Sequence, residues 1–137
     1  MKTSILSRVL VLLGLGGHAH AGVEWDTLCQ EAESLYQQGD YARATVVAKK
    51  ALQVAEHALG PDHPDVAHSL NELAELYRVQ GQYAQAESLA KSALAIWEKA
   101  RGPVHPTVAI SLNNLAELYV SQKKYAQAEP LYIRALA

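Results

Sequence analysis

The chain has 137 residues, half of them hydrophobic, and carries 12 Lys and Arg against 14 Asp and Glu, a formal charge of −2. Such a composition can bury a core, so it excludes compositional disorder, and it lacks the strong basic excess of a nucleic-acid binder. A single cysteine excludes an intrachain disulfide framework and any multi-cysteine zinc site.

Residues 1–21 have the three parts of an export signal: Lys2 and Arg8 at a positive start, an apolar stretch from Val9 to Leu15, and a helix-breaking exit at Gly16-Gly17-His18. Ala19-His20-Ala21 follows as the small-x-small pattern that a signal peptidase accepts in extended form, which places the cut after Ala21. The same residues also allow an uncleaved anchor or an ordinary amphipathic helix. Cleavage removes Lys2 and Arg8 and leaves 10 basic against 14 acidic residues, a mature charge of −4. The expectation is an exported chain, periplasmic or secreted. No apolar run reaches the ~18–20 uncharged residues of a transmembrane helix, so no stable membrane insertion is expected after cleavage. Cys29 lies too far beyond the apolar stretch for a lipid anchor.

From residue 22 onward one unit is written three times, at about 25–66, 67–108 and 109–137. Gly39-Asp40-Tyr41-Ala42-Arg43-Ala44 returns 42 residues later as Gly81-Gln82-Tyr83-Ala84-Gln85-Ala86, then as Lys123-Lys124-Tyr125-Ala126-Gln127-Ala128. His63-Pro64-Asp65-Val66-Ala67 returns as His105-Pro106-Thr107-Val108-Ala109, and residues 67–95 match 109–137 at 19 of 29 ungapped positions. A repeat of this fidelity decides the fold before any local reading does.

Each unit reads as two helices. Val66, Leu70, Leu73, Ala74 and Tyr77 form one apolar stripe at spacings of three and four. Pro64 suits a first turn, Asp65 favours the positive helix end, and Gly81 ends the helix. Tyr83, Ala86, Leu89, Ala90, Ala93, Leu94 and Trp97 form the second stripe, stopped by Gly102-Pro103 as Gly60-Pro61 stop the helix before it. No stretch alternates at the period of a strand. Alanines recur at fixed stripe positions (Ala32, Ala74, Ala116; Ala44, Ala86, Ala128; Ala51, Ala93, Ala135), so paired helix axes can approach closely. A two-helix unit cannot bury both faces alone, and stacking neighbours gives an all-α solenoid.

The pattern Leu73-Ala74, Tyr77, Gly81, Tyr83, Ala86 and Ala93 resembles the tetratricopeptide repeat. The 42-residue period, with Leu59-Gly60-Pro61-Asp62-His63-Pro64 as the joint, is similar to the longer kinesin-light-chain type. The resemblance implies a right-handed α-solenoid of three helix-turn-helix hairpins over 22–137, used for protein–protein interaction, with the first helices lining a concave groove. Matching positions are Asp26, Cys29, Gln30 and Glu33; His68, Asn71, Glu72, Glu75 and Arg78; and Asn113, Asn114 and Glu117. Asn71 and Asn113 hold the same repeat position, and an amide offers a peptide backbone both donors and an acceptor. Family members that clamp a C-terminal carboxylate need several Lys or Arg on this face. Here Arg78 stands nearly alone among carboxylates, which favours a neutral or basic segment of a partner protein.

The units depart from one another. Leu35 stands where the others have Tyr77 and Tyr119, and Glu31 where they have Leu73 and Leu115, a polar drift that fits an N-terminal cap. Lys123 replaces the glycine, Pro130 is expected to kink the last helix, and Leu131, Tyr132 and Leu136 have no capping helix to cover them. Self-association through this last hairpin is one consequence. Truncation of a longer protein after Ala137, with the repeats as the regulatory segment of a larger enzyme, is another.

Chemistry finds little foothold. Asp62-His63-Pro64-Asp65 and His68 are suitable metal-ligand types, but His63 recurs as His105 where Asp65 becomes Thr107 and His68 becomes Ile110, so a loop and helix-start role accounts better for them. Cys29 and His68 are the one conceivable nucleophile–base pair, and no catalytic or phosphate-binding motif is present. No catalytic residue, metal or cofactor is expected. Trp25, ahead of the first helix, and Trp97 read as packing residues.

Overall fold

The computed structural model describes residues 17–137, with side chains from residue 22 onward, so the charged start and apolar stretch of the expected leader lie outside the described residues. Six helices follow in sequence: α1 (Gly17–Gln37), α2 (Tyr41–Leu59), α3 (Pro64–Val79), α4 (Tyr83–Arg101), α5 (Pro106–Ser121) and α6 (Tyr125–Leu136), with no strand among the described residues. Each odd-numbered helix packs antiparallel on the next, and α2 on α3 and α4 on α5 join the three hairpins into one stack, an α-solenoid. None of these helices is long and apolar enough to cross a membrane.

The first helix begins earlier than the sequence suggests. Gly17 opens α1, so Ala19-His20-Ala21 is helical and Trp25 lies inside the helix instead of ahead of it.

The repeated His-Pro step is a helix cap. Nδ1 of His63 accepts the Asp65 amide at 3.1 Å, and Nδ1 of His105 accepts that of Thr107 at 3.2 Å, with the proline next in the first turn. Asp40 caps α2 in the same way, its carboxylate accepting the Arg43 amide at 3.3 Å.

The ends of the first helices fix the register. The amides of Asp40, Gln82 and Lys124 donate to the carbonyls of Leu35, Tyr77 and Tyr119 at 2.9, 2.8 and 2.9 Å, the long-reach bond of a Schellman close. That close needs a left-handed residue, supplied by Gly39 (φ 79°), Gly81 (φ 76°) and, in the third unit, Lys123 (φ 61°). A lysine there strains the backbone by about 1–2 kcal/mol. Because the same bonds form in all three units, Leu35 does occupy the place of Tyr77 and Tyr119.

Alanine sets the closeness of the crossings. Ala44, Ala86 and Ala128 are fully or nearly fully buried, as are Ala51 and Ala93, and Ala32, Ala74 and Ala116 lie inside beside them. Larger side chains complete three connected clusters, among them Leu35 with Leu73 and Leu76, Val66 with Leu70 and Ile96, and Leu112 with Leu115 and Tyr119. At the far end α6 runs from Tyr125 to Leu136 without interruption at Pro130. Leu131 and Tyr132 pack half-buried on the last cluster, while Leu136 (89% exposed) and Ile133 (61%) do not.

A groove lined by the first helices

The 42-residue register places equivalent side chains of α1, α3 and α5 in rows. Asp26, His68 and Ile110 form one row, Gln30, Glu72 and Asn114 a second, and Glu33, Glu75 and Glu117 a third. Residues 26, 30 and 33 are four and three apart, so the rows share one helix face. Between them opens a cavity of about 500 Å³, lined on the α1 side by Ala32, Glu33 and Tyr36 and along α3 by His68, Asn71, Glu72, Glu75 and Leu76. Trp97 of α4 and Thr107, Ile110 and Asn114 of α5 close the other side. A smaller hollow of about 280 Å³ adjoins it, reaching Arg78, Glu117 and Leu118 and sharing Asn71, Glu75 and Asn114.

Of the expected groove residues, Glu33, His68, Asn71, Glu72, Glu75, Arg78, Asn114 and Glu117 line these two hollows. Gln30 and Asn113 are exposed and line neither. Asn113 repeats Asn71 and Gln30 repeats Glu72, and in both pairs only the α3 residue lines a hollow.

Hydrogen bonds across the units hold the groove's polar floor. The Tyr36 hydroxyl donates to Glu75 Oε1 at 3.2 Å, Arg78 Nε donates to Glu75 Oε2 at 2.8 Å, and Arg78 reaches on to Ser121 Oγ at 3.3 Å. The carboxylate raises the Arg78 pKa still further, so Arg78 is a permanent cation already committed to Glu75. His68 Nε2 lies 3.0 Å from Glu72 Oε1, and that bond raises the imidazole pKa against the opposing effect of burial. Burial, then neighbouring Asp65, push the Asp26 carboxyl upward. Burial and Glu72 push the Cys29 thiol to about 12, so it is held protonated and is a weak nucleophile. Asn71 Oδ1 is buried with no hydrogen-bond partner among the described residues.

Charge is sorted by helix. The first helices carry eight carboxylates (Glu24, Asp26, Glu31, Glu33, Asp65, Glu72, Glu75, Glu117) against the lone cation Arg78. The second helices carry seven cations (Arg43, Lys49, Lys50, Lys91, Lys99, Arg101, Arg134) against Glu56, Glu87, Glu98 and Glu129. The near-neutral total therefore conceals an acidic groove face and a basic outer face. No cluster of three or more His, Cys, Asp or Glu suited to a metal occurs among the described residues.

Among the groove residues that escaped the sequence are Tyr36, Trp97 and Ile110. Their signal is a break in the repeat. Trp97 falls where the preceding unit has Ala55, Tyr36 where the next has Arg78, and Ile110, 60% exposed, where His68 and Asp26 stand.

Comparison with known proteins agrees with this architecture. The family model described as Tetratricopeptide repeat matches residues 26–95 and again 65–137. Among solved structures, BtubC (BKLC) from P. vanneervenii superimposes with a TM-score of 0.77 at 24% identity, over 86% of this chain and 45% of that one. At that identity the likeness speaks for the fold alone, and this chain spans less than half of that protein's length. No curated protein matches.

Proposed function

This chain belongs to the tetratricopeptide-repeat family, and from that premise we propose that it is a non-catalytic interaction module that holds a peptide or helix of a partner protein in the groove between α1, α3 and α5. Such repeats generally mediate protein–protein interaction or scaffolding. The observation that carries the reading is the groove itself: a cavity of about 500 Å³ in which Trp97 and Ile110 stand beside the polar side chains of Asn71 and Asn114. The carboxylates along it favour a neutral or basic segment.

The test is selection of binders from a displayed library of random 15-residue peptides, followed by affinity measurement on variants. Binders should lose at least fivefold on the double change Asn71→Ala/Asn114→Ala and be unaffected by Lys50→Ala on the outer face. Binders that respond to Lys50 and ignore the asparagines would place recognition elsewhere and sink the reading.

Export belongs to the same proposal: the leader of residues 1–21 is removed after Ala21, and the N-terminal residue of the recovered protein should be Gly22. A second reading rests on Ile133 and Leu136, whose exposure at the end of α6 suits self-association. Sedimentation across a wide concentration range separates it, since a mass that stays at the monomer value throughout eliminates the dimer.

A further inference from the structure

Within that groove, and resting on the reading of it as a peptide site, we infer a two-point recognition rule: one bulky apolar side chain of the partner enters the Trp97–Ile110 end, and a lysine or arginine roughly 10 Å further along meets Glu33 and Glu75.

The first point is the nature of the two ends. Ile110 and Thr107 lie in the opening turns of α5 and His68 in that of α3, with Trp97 from the last turns of α4 beside them. This end is built mainly from apolar and aromatic surface. Ile110 is 60% exposed, an arrangement that leaves apolar area to be covered. Glu33, Tyr36 and Glu75 lie seven or more residues later along their helices, at the opposite end of the same cavity.

The second point is charge. The cavity is lined by three carboxylates, Glu33, Glu72 and Glu75, and by no lysine or arginine. Glu72 is engaged by His68, and Glu75 shares its oxygens with Arg78 and Tyr36. Glu33 has a long 3.5 Å contact from the Gln37 amide and acts on His68 only at longer range, helping to raise its pKa, without an ion pair at contact distance. A cationic partner group therefore finds a carboxylate that does not have to be released from an internal ion pair. An acidic segment meets like charge from all three, with Arg78 already taken.

The third point is spacing. Seven residues of helix rise by roughly 10 Å, which separates the level of His68 and Ile110 from that of Glu33 and Glu75. An extended partner strand covers roughly 10 Å in three residues, so the matching segment has an apolar residue and a basic residue three positions apart. Asn71 lines the cavity between the two levels.

The experiment uses the protein as recovered from expression and three labelled 12-residue peptides. The first has a leucine and a lysine three positions apart on a Gly/Ser/Gln background, the second has glutamine for the leucine, and the third has glutamate for the lysine. Fluorescence anisotropy gives affinities, and amide chemical shifts locate the binding. The expected result is that the first peptide binds at α3 and α5 and that each replacement weakens it at least tenfold. Ile110→Gln and Glu33→Gln, both at exposed positions that the fold does not need, should weaken the first peptide about tenfold and about fivefold, and 0.5 M salt should reduce only the Glu33 contribution. Groove shifts with the glutamate peptide binding as well as the lysine one would overturn the rule and keep the groove. Shifts confined to the outer helices, or no binding of any peptide at millimolar concentration, would overturn both.

Discussion

At the joint between the first and second hairpins the indole comes from α1: Trp25 donates its N–H to Ser69 Oγ at 2.7 Å and meets the His68 ring edge-on at 5.6 Å. At the next joint the residue equivalent to Trp25 is Ala67, fully buried, and the one equivalent to Ser69 is Ser111, whose hydroxyl is buried with no partner among the described residues. The indole there is Trp97, supplied by α4 at the position where the first hairpin has Ala55. Aromatic volume is thus present at both joints, but a different helix delivers it, and the polar accounting does not travel with it. Repetition copies the backbone and the alanine crossings. Each joint has settled its own filling.

The contrast breaks most sharply at the indole. Trp25→Ala should cost about 3 kcal/mol in urea unfolding, since it removes a large half-buried ring that ties α1 to α3. A loss below 1 kcal/mol would mean that the first joint does not depend on it. The two serines sharpen the comparison. Ser69→Ala strands the indole N–H and should cost about 1–3 kcal/mol, whereas Ser111→Ala, which removes an unsatisfied hydroxyl, should fall within about 0.5 kcal/mol of zero or stabilise. Equal effects of the two changes would show that the Trp25 hydrogen bond contributes nothing. At the turns, Lys123→Gly should stabilise by about 0.5–1 kcal/mol by relieving the left-handed strain that Gly39 and Gly81 avoid, after allowing for the greater freedom of glycine in the unfolded chain.

The smallest effect is the titration of His68. Its folded pKa stands above the ordinary 6.5, so its contribution to stability is complete below that value and is lost as pH rises through the raised one. The side chain is half exposed, so the change is slight. Glu72→Gln should flatten it, and the imidazole resonance followed by NMR should titrate lower in that variant. A resonance that does not move would leave the Glu72 contact without electrostatic weight.

The six helices and the crossings of the stack were legible in residues 22–137, because the period of 42 and the alanines at fixed positions are written in the chain. The opening of α1 was not, because Gly17 reads as a breaker and yet sits at a helix start. In the groove, Glu33, Glu75 and Glu117 could be read as a row since they repeat. Tyr36, Trp97 and Ile110 could not, since a groove between units brings together residues of different repeats, from Ala32 to Asn114, and periodicity is silent about residues that break it. Asn113 shows the converse: it repeats Asn71 faithfully and yet lines neither hollow among the described residues.

The sorting of carboxylates to the first helices and of lysines and arginines to the second makes the stack an electric dipole across its thickness. A dipole exerts a torque before any contact is made. An approaching chain with a basic stretch is turned toward the groove while still about one screening length away, roughly 10 Å at 0.1 M salt and 30 Å at 0.01 M. The outer face, being basic, repels the same chain. The arrangement therefore acts on which encounters happen first, and diluting the buffer should speed the productive ones before it strengthens any bond.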